Sequence, residues 1–425
     1  MTQKILDLAG IGFGPSNLAL AIALKESSLP LSYKFLDNKS QPNWQEQMLI
    51  SGSDIQNNPL RDLVTPRNPQ SYYTFTNYLK VTNRLFDYLN LPGHYPLRRE
   101  YAEYIKWTAS HFTENIISSA KVTSLGVATL DGQKTWEISY NNTQKLYARA
   151  IIIGTGRAPH IPTELSEIVA SNKAFHLNNY LENIEKFPED IKRIGVLGAS
   201  QSAVEIVLDL AARFPQAEIY SIHRSFSFKL KDTSPFSDKV YFPEFVDYYY
   251  SLDSHGKRNI DRQLRGTNYS SADADVINAL YTRIHEDKLR GVFQVKILNN
   301  TAISHTRILD NGEILLQTTE VNKGINSELQ LDRLVLATGF KDIASKENGE
   351  LIPRLLEPFS ADLMKDQDGS LHVNRDYSLT TYNQIPPAYL NGLCESSHGL
   401  GDAGSFSLVS LRAEHILDSL KTRYL

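Results

Sequence analysis

Cysteine is nearly missing from this chain: Cys394 is the only one in 425 residues. A single thiol rules out an intrachain disulfide, a Cys-x-x-Cys redox pair and a cysteine-rich zinc site, and disulfide reduction goes with them. Basic runs are missing too. The 44 Lys and Arg against 48 Asp and Glu leave a formal net charge of −4 and a pI near 6.3, which argues against nucleic acid as a partner. Long apolar runs are also lacking: Leu18 to Leu24 is too short to span a bilayer and runs into Lys25 and Glu26. The first residues show no basic segment leading into an apolar core, so no secretory signal and a cytoplasmic location are expected. His176, His223, His372 and His398 have no partner at metal-ligand spacing, so no metal is expected.

What is present fits a soluble globular protein of two or three domains, with 41% hydrophobic and 22% charged residues. Two segments share one grammar of strand, small-residue turn and helix. The first runs from Ile5 through Gly12-Phe-Gly14-Pro-Ser-Asn17 into an apolar helix ending near Leu24. The second runs from Arg193 through Gly198-Ala199-Ser200-Gln201-Ser202-Ala203 into a helix beginning at Val204. That order is the fingerprint of a dinucleotide-binding fold: Gly12 permits the tight turn, and Gly14 lets backbone N–H groups approach a pyrophosphate. Asn17 occupies the third small position, and Asp37 ends the next strand where a carboxylate would meet a ribose hydroxyl. In the second unit the corresponding strand ends in Arg224 instead of an acid, which suits the 2′-phosphate of NADPH.

Glycine-ended apolar strands at Ala148–Gly154 and Leu334–Gly339 follow the two units. The expected fold is therefore α/β: two nested Rossmann-like domains with a small, largely helical substrate-binding insert. The expected division is a discontinuous first domain at 1–165 and 331–425, an NADPH-binding domain at 166–330, and the insert at 230–295. Two nucleotide folds without a cysteine pair point to a flavoprotein that passes hydride to FAD and lets the reduced flavin meet O₂.

Several separated stretches then narrow the class. They are Asp7 to Ala21, Leu60-Arg-Asp-Leu-Val-Thr-Pro-Arg-Asn-Pro69, Tyr73 to Leu79, the run from Ser234-Pro-Phe-Ser-Asp238 to Asp247, Thr267-Asn-Tyr-Ser270 and His398-Gly-Leu400. Over nearly the whole chain the sequence resembles the microbial N-hydroxylating flavin monooxygenases of siderophore biosynthesis, which include ornithine, lysine and diamine N-hydroxylases. By that resemblance, Asp37 to Gln45, with Trp44, contacts adenosine and flavin, Gln56 lies beside the isoalloxazine, and Val122 meets the adenine. Ala199, Ser200, Gln201, Ser202 and Arg224 contact NADPH. Asn268, Tyr269 and Ser270 touch nicotinamide and substrate, with Gln56 and Asn268 closest to the chemistry. Gly404, Ser405 and Phe406 reach the flavin, and Arg61, Asp238, Asn268 and Ser407 line the substrate. This chain has Trp44-Gln45 where the family has tryptophan-histidine, and one extra residue between Asp402 and Ser407.

The resemblance implies that a C4a-hydroperoxyflavin oxygenates the terminal amine of a small aliphatic substrate, and that the enzyme is a homo-oligomer, often a tetramer. Amino-acid hydroxylases of the family commonly have asparagine and lysine where this chain has Asp238 and Arg61. A carboxylate at 238 repels an α-carboxylate and attracts a second ammonium, so the expected substrate is putrescine or cadaverine. L-Ornithine N5- or L-lysine N6-hydroxylation is the alternative. A sulfur- or ketone-oxidising flavin monooxygenase would leave the 234–270 segment unexplained.

Overall fold

The apolar run Ile5–Ile11 forms β1, and the small-residue turn behind it feeds helix α1 (Pro15–Ser27). In the computed structural model, which describes residues 4–93, 95–344, 349–382 and 385–424, β1 sits at the centre of a seven-stranded sheet. Its other members are β2 (Tyr33–Leu36), β3 (Ile116–Ile117), β4 (Val122–Leu130), β5 (Gln133–Tyr140), β6 (Gln144–Ile153) and β15 (Ala388–Leu390). The order β3-β2-β1-β6 is parallel, and the hairpin β4–β5 continues it antiparallel along the first half of β6. Past Ala148, β15 takes the place of β5 and pairs in parallel with Ile151–Ile153 of β6. The last part of the chain thus completes the sheet that the first part begins. Helix α1 is apolar on every side, and eight of its residues, Asn17 to Leu24, are buried. It lies under the sheet and against helix α5 (Val409–Tyr424), as an all-round apolar helix must.

The second sheet is wholly parallel, in the order β10-β9-β8-β14-β7. Its strands are β7 (Ala174–His176), β8 (Arg193–Leu197), β9 (Glu218–Ile222), β10 (Val295–Leu298) and β14 (Arg333–Leu336). Alternation along the strands divides two cores. Ile219 and Val335 face helix α3 (Gln201–Arg213), whereas Tyr220, Ile222, Leu334 and Leu336 face a three-stranded antiparallel sheet of β11 (Thr301–Ile308), β12 (Ile314–Glu320) and β13 (Asn326–Leu331). The segment between β9 and β10 is mostly helical, with helices Pro243–Ser251, Ser254–Leu264 and α4 (Ala274–Leu289). Helix α2 (Arg98–Ser110) brings the chain back from the loop at residues 45–75 towards the first sheet.

The α/β class with two Rossmann-like sheets agrees with the sequence. The β11–β13 sheet and the β4–β5 hairpin are additions that the glycine pattern did not announce. Among the described residues no helix is long and apolar enough to cross a membrane, and no cluster of three or more His, Cys, Asp or Glu could hold a metal ion.

Candidate active site

The first turn is built around what glycine alone allows. Gly12 has φ +84°, and a Cβ there would lie 2.6 Å from the Gly154 carbonyl oxygen. At Gly14 a Cβ would meet nothing within 4 Å. Gly14 caps α1 with extended backbone, so no capping side chain occupies the start of the helix. That is the form of a pyrophosphate cradle and it fits FAD. Asp37 is buried beside it and accepts from the Phe13 N–H (2.6 Å) and the Lys39 N–H (2.8 Å). The Ala120 N–H in turn donates to the Asp37 carbonyl (2.7 Å), which brings the start of β4, with Val122, alongside. Asn17 points elsewhere. Its amide donates to the Gly12 carbonyl (2.7 Å) and accepts from Asn391 (2.9 Å), so its buried side chain holds the turn together.

The second turn repeats the device. Gly198, at φ +147°, would place a Cβ 2.5 Å from the Ala337 carbonyl oxygen, and Ser200 caps α3 without a side-chain hydrogen bond. Arg224 is exposed just past β9 and, among the described residues, makes no ion pair, as a phosphate-reading arginine requires. Gln201 is already engaged: its N–H donates to Ser271, its side-chain oxygen accepts from the Asp273 N–H, and its amide donates to Glu205. Ala199 and Ser202 flank that turn. His176 is structural. Burial lowers its pKa to about 4, and its ring bonds the Gly339 carbonyl at 2.9 Å.

Between the two turns, three segments converge. Asn57, Arg61, Ser405 and Ser407 form one patch: the Ser407 hydroxyl donates to Asn57 (3.1 Å), accepts from Ser405 (2.9 Å) and lies 3.4 Å from the Arg61 guanidinium. Arg61 also lies over the Tyr241 ring at 5.9 Å. Tyr241 is partly buried; desolvation and then Asp238 push its pKa well up, while Arg61 pulls it down. Asp238 and Arg61 therefore act on the same phenol from the 234–241 and 57–62 segments. Asp62 is not the partner of Arg61. Its carboxylate accepts the N–H groups of Val64, Thr65 and Phe75 and the Thr65 hydroxyl. Among the described residues Arg61 and Asp238 each make no ion pair.

Gln56, at φ +52°, bonds through its amide to Asp273, the residue before α4. Next to it, the pKa of Asp54 rises to about 6. Burial is the main cause and the charges of Asp273, Asp275 and Glu205 add to it, against a backbone bond from Gln56. Trp44 stacks edge-on against Phe406 (5.0 Å), and Gln45 is exposed beside it at φ +47°. Gly404 is packed tightly: a Cβ there would lie 2.9 Å from the Asn268 amide nitrogen and 3.0 Å from the Tyr269 hydroxyl. Ser270, at φ +58°, accepts from Arg265 (3.1 Å). The segments 56–61, 238–241, 268–273 and 404–407 thus meet in one place.

A set of buried charges that the sequence reading passed over holds them. Arg98 on α2 makes a two-pronged pair with Glu205 on α3, both distances 2.9 Å. Arg412 pairs with Asp402 (2.9 Å) and reaches Asn391 and Ser16, tying α5 to the first turn. Burial alone would raise Asp402, but Arg412 and then His398 bring it below the ordinary carboxylate value. His398, stacked on Tyr377 at 4.1 Å, is lowered by burial to about 4. A lone arginine carries no local signal of such partners; only the spacing of Asp402 to Arg412, one face of a short loop and helix, is local enough to have been noticed.

The model of the L-lysine 6-monooxygenase/L-ornithine 5-monooxygenase family matches residues 4–342. An L-ornithine N(5)-monooxygenase of Pseudomonas aeruginosa is 33% identical, over 99% of this chain and 94% of its own. The solved ornithine N-hydroxylase of Kutzneria sp. 744, a complex with reduced FAD, NADP+ and L-ornithine, has a TM-score of 0.90 at 28% identity and covers 99% of this chain and 100% of that one. The L-lysine 6-monooxygenase of Pseudomonas syringae gives 0.86 at 32%, with the same coverage. These relatives are named for amino acids, so the diamine expectation finds less support among them than its alternative does. Kinship runs the length of the chain, and one of these relatives is solved with FAD and NADP+: the chain belongs to the L-lysine 6-monooxygenase/L-ornithine 5-monooxygenase family, the FAD- and NADPH-dependent N-monooxygenases of siderophore biosynthesis.

Proposed function

We propose that this enzyme hydroxylates the side-chain amine of L-ornithine. The carrying observation is Arg61: a half-buried guanidinium beside Ser407 and over Tyr241, with no carboxylate partner among the described residues. A diamine would bring a second cation towards that charge. An amino acid brings an α-carboxylate to Arg61 and an α-ammonium to Asp238, filling both with one zwitterion. At about 4 Å, each such contact is worth about 4 kcal/mol of Coulomb attraction at an effective dielectric of about 20, before desolvation is subtracted. The naming of the relatives for ornithine supports the same choice. L-Lysine, one methylene longer, is the nearest competitor, since one methylene changes binding by only about 1–3 kcal/mol.

Bound FAD, reduced by NADPH, supplies the activated oxygen. The chain's own work is to hold the amino acid by its head so that the side-chain nitrogen points at the flavin, and to keep that nitrogen unprotonated. A lysine-like amine has a reference pKa of about 10.4, and removal from water favours its neutral form. Asn268, whose amide reaches the Leu400 carbonyl at 3.3 Å, and Gln56 flank that position. The deciding experiment is hydroxylamine formation with ornithine, lysine, putrescine and cadaverine. Ornithine is expected to lead in kcat/KM, and Arg61→Ala to raise its KM by roughly 10- to 100-fold, the loss of one charged hydrogen bond. Either diamine outrunning ornithine would overturn the proposal in favour of the reading that rests on Asp238.

A further inference from the structure

Two connections join the sheets, 154–160 leaving β6 and 338–342 leaving β14, and they run side by side. The His160 N–H donates to the Gly339 carbonyl (2.9 Å), the Lys341 N–H to the Ala158 carbonyl (2.8 Å), and Pro159 bridges Phe340 antiparallel. Such a paired strip is a two-stranded hinge. Arg157 leaves it inward. Its guanidinium donates to the Tyr269 hydroxyl (2.9 Å), to Asp342 (3.1 Å) and to Glu395 (3.3 Å), and lies over the Phe340 ring at 5.5 Å. The Tyr269 hydroxyl passes the link on to Glu395. Tyr269 is partly buried, and desolvation and then Glu395 push its pKa far up, so the phenol stays protonated and can donate.

The four partners belong to different parts of the chain. Arg157 sits on the first connection and Asp342 on the second, Tyr269 lies in the segment before α4, and Glu395 is in the return that follows β15. The tip of the cluster touches Gly404, where a Cβ would be 3.0 Å from the Tyr269 hydroxyl and 3.4 Å from the Arg157 guanidinium. The guanidinium meets all three acceptors through one nitrogen, Nη1, so a hydroxyl and two carboxylates from three parts of the chain converge on a single point. In a dry site it does so rigidly, because a misdirected donor would strand a buried carboxylate.

We infer that Arg157 is a positioning residue that fixes the NADPH-binding sheet relative to the flavin-binding sheet, and thereby sets the geometry of hydride transfer from NADPH to FAD. The inference does not depend on which amine is hydroxylated, because flavin reduction can be followed without substrate. It separates two quantities. NADPH affinity rests on the Gly198 turn and Arg224, which the clasp does not touch, whereas the limiting rate of reduction depends on how the two cofactors meet.

The test is anaerobic stopped-flow reduction of the bound flavin across a range of NADPH concentrations. Arg157→Met is expected to lower the limiting rate at least tenfold with half-saturation by NADPH changed less than threefold. Arg157→Lys should recover part of that rate. Should Arg157→Met fail to fold or to hold FAD, Glu395→Gln decides: it removes one charged acceptor of the clasp, keeps the side chain's shape, and should slow the limiting rate about threefold or more. An unchanged limiting rate in the folded variant, or a loss confined to half-saturation, would overturn the inference.

Discussion

Replacing Arg98 by Met would leave Glu205 with its charge and without its counterion. The side chains of the pair are only 8% and 4% exposed, and both prongs measure 2.9 Å, so solvent cannot take the place of the missing guanidinium. Stranding one member of a buried pair costs about 3–5 kcal/mol. Arg98→Met and Glu205→Met should therefore each destabilise by about that much, and simple addition would predict about 6–10 kcal/mol for both together. The double variant should do far better. With both charges gone, what remains unpartnered is the Met48 carbonyl that Arg98 bonds at 2.8 Å, a weaker bond to Asp54, and the Gln201 amide that rests on Glu205. Each orphaned group costs about 1–3 kcal/mol and is partly relieved by rotation. The new methionines would extend the apolar cluster that already includes Met48 and Ile50. A coupling of about 3 kcal/mol or more should emerge from the cycle. Unfolding midpoints of the four proteins, read by tryptophan fluorescence at equal protein and FAD concentration, give the measurement. Double-variant losses that equal the sum of the singles within about 0.5 kcal/mol would refute the reasoning.

Two further perturbations address the cofactor and the pH response. Arg224→Ala should lower kcat/KM for NADPH by about 1.5–3 kcal/mol, roughly 10- to 150-fold, and leave NADH nearly unchanged; equal loss with both coenzymes would show that Arg224 does not read the phosphate. Asp54, raised from 3.8 to about 6, holds its proton in the folded chain over a range where the unfolded chain has lost it. Folding then binds the extra proton between those values, so this group's contribution falls as pH rises through about 6 and is regained on acidification. Thermal midpoints of Asp54→Asn should exceed those of the parent by a margin that grows from pH 4.5 to pH 7, and a margin constant with pH would count against the assignment.

How much of this was legible beforehand follows from how local each constraint is. The two turns could be read because glycine is required within a few residues of the strand that precedes it: Gly12 and Gly198 hold positive φ against a backbone carbonyl, and no other residue fits. The clasp residues could not. Arg98 and Glu205 are 107 positions apart, Arg157 and Glu395 are 238, and Arg61 and Ser407 are 346. Nothing in the neighbourhood of an isolated arginine tells whether it faces water, a carboxylate or a ligand. Arg61 illustrates the point: from sequence it could pair with Asp62, with Asp238 or with substrate, and folding engages Asp62 with the N–H groups of its own loop. Asn17 shows the converse. It occupies a fingerprint position, and its side chain staples Gly12 to Asn391, a tie across the chain that the fingerprint did not announce.

The placement of β15 has a consequence for how the protein is made. Strands β7 to β14 lie within one continuous stretch, so the second sheet can close soon after Leu336 leaves the ribosome. The first sheet, although β1 is synthesised before any strand of the second, must wait for Ala388–Leu390 to pair with β6 and for Arg412 to reach Ser16. Until then β6 has a bare edge at Ile151–Ile153 and α1 lacks α5 against its apolar flank. Domains generally fold as they emerge, and unpaired edges are the surfaces on which nascent chains stick. In this topology the sheet begun earlier is the later one to be sealed, and a chain cut short before residue 388 would carry a finished second sheet joined to an open and adhesive first one.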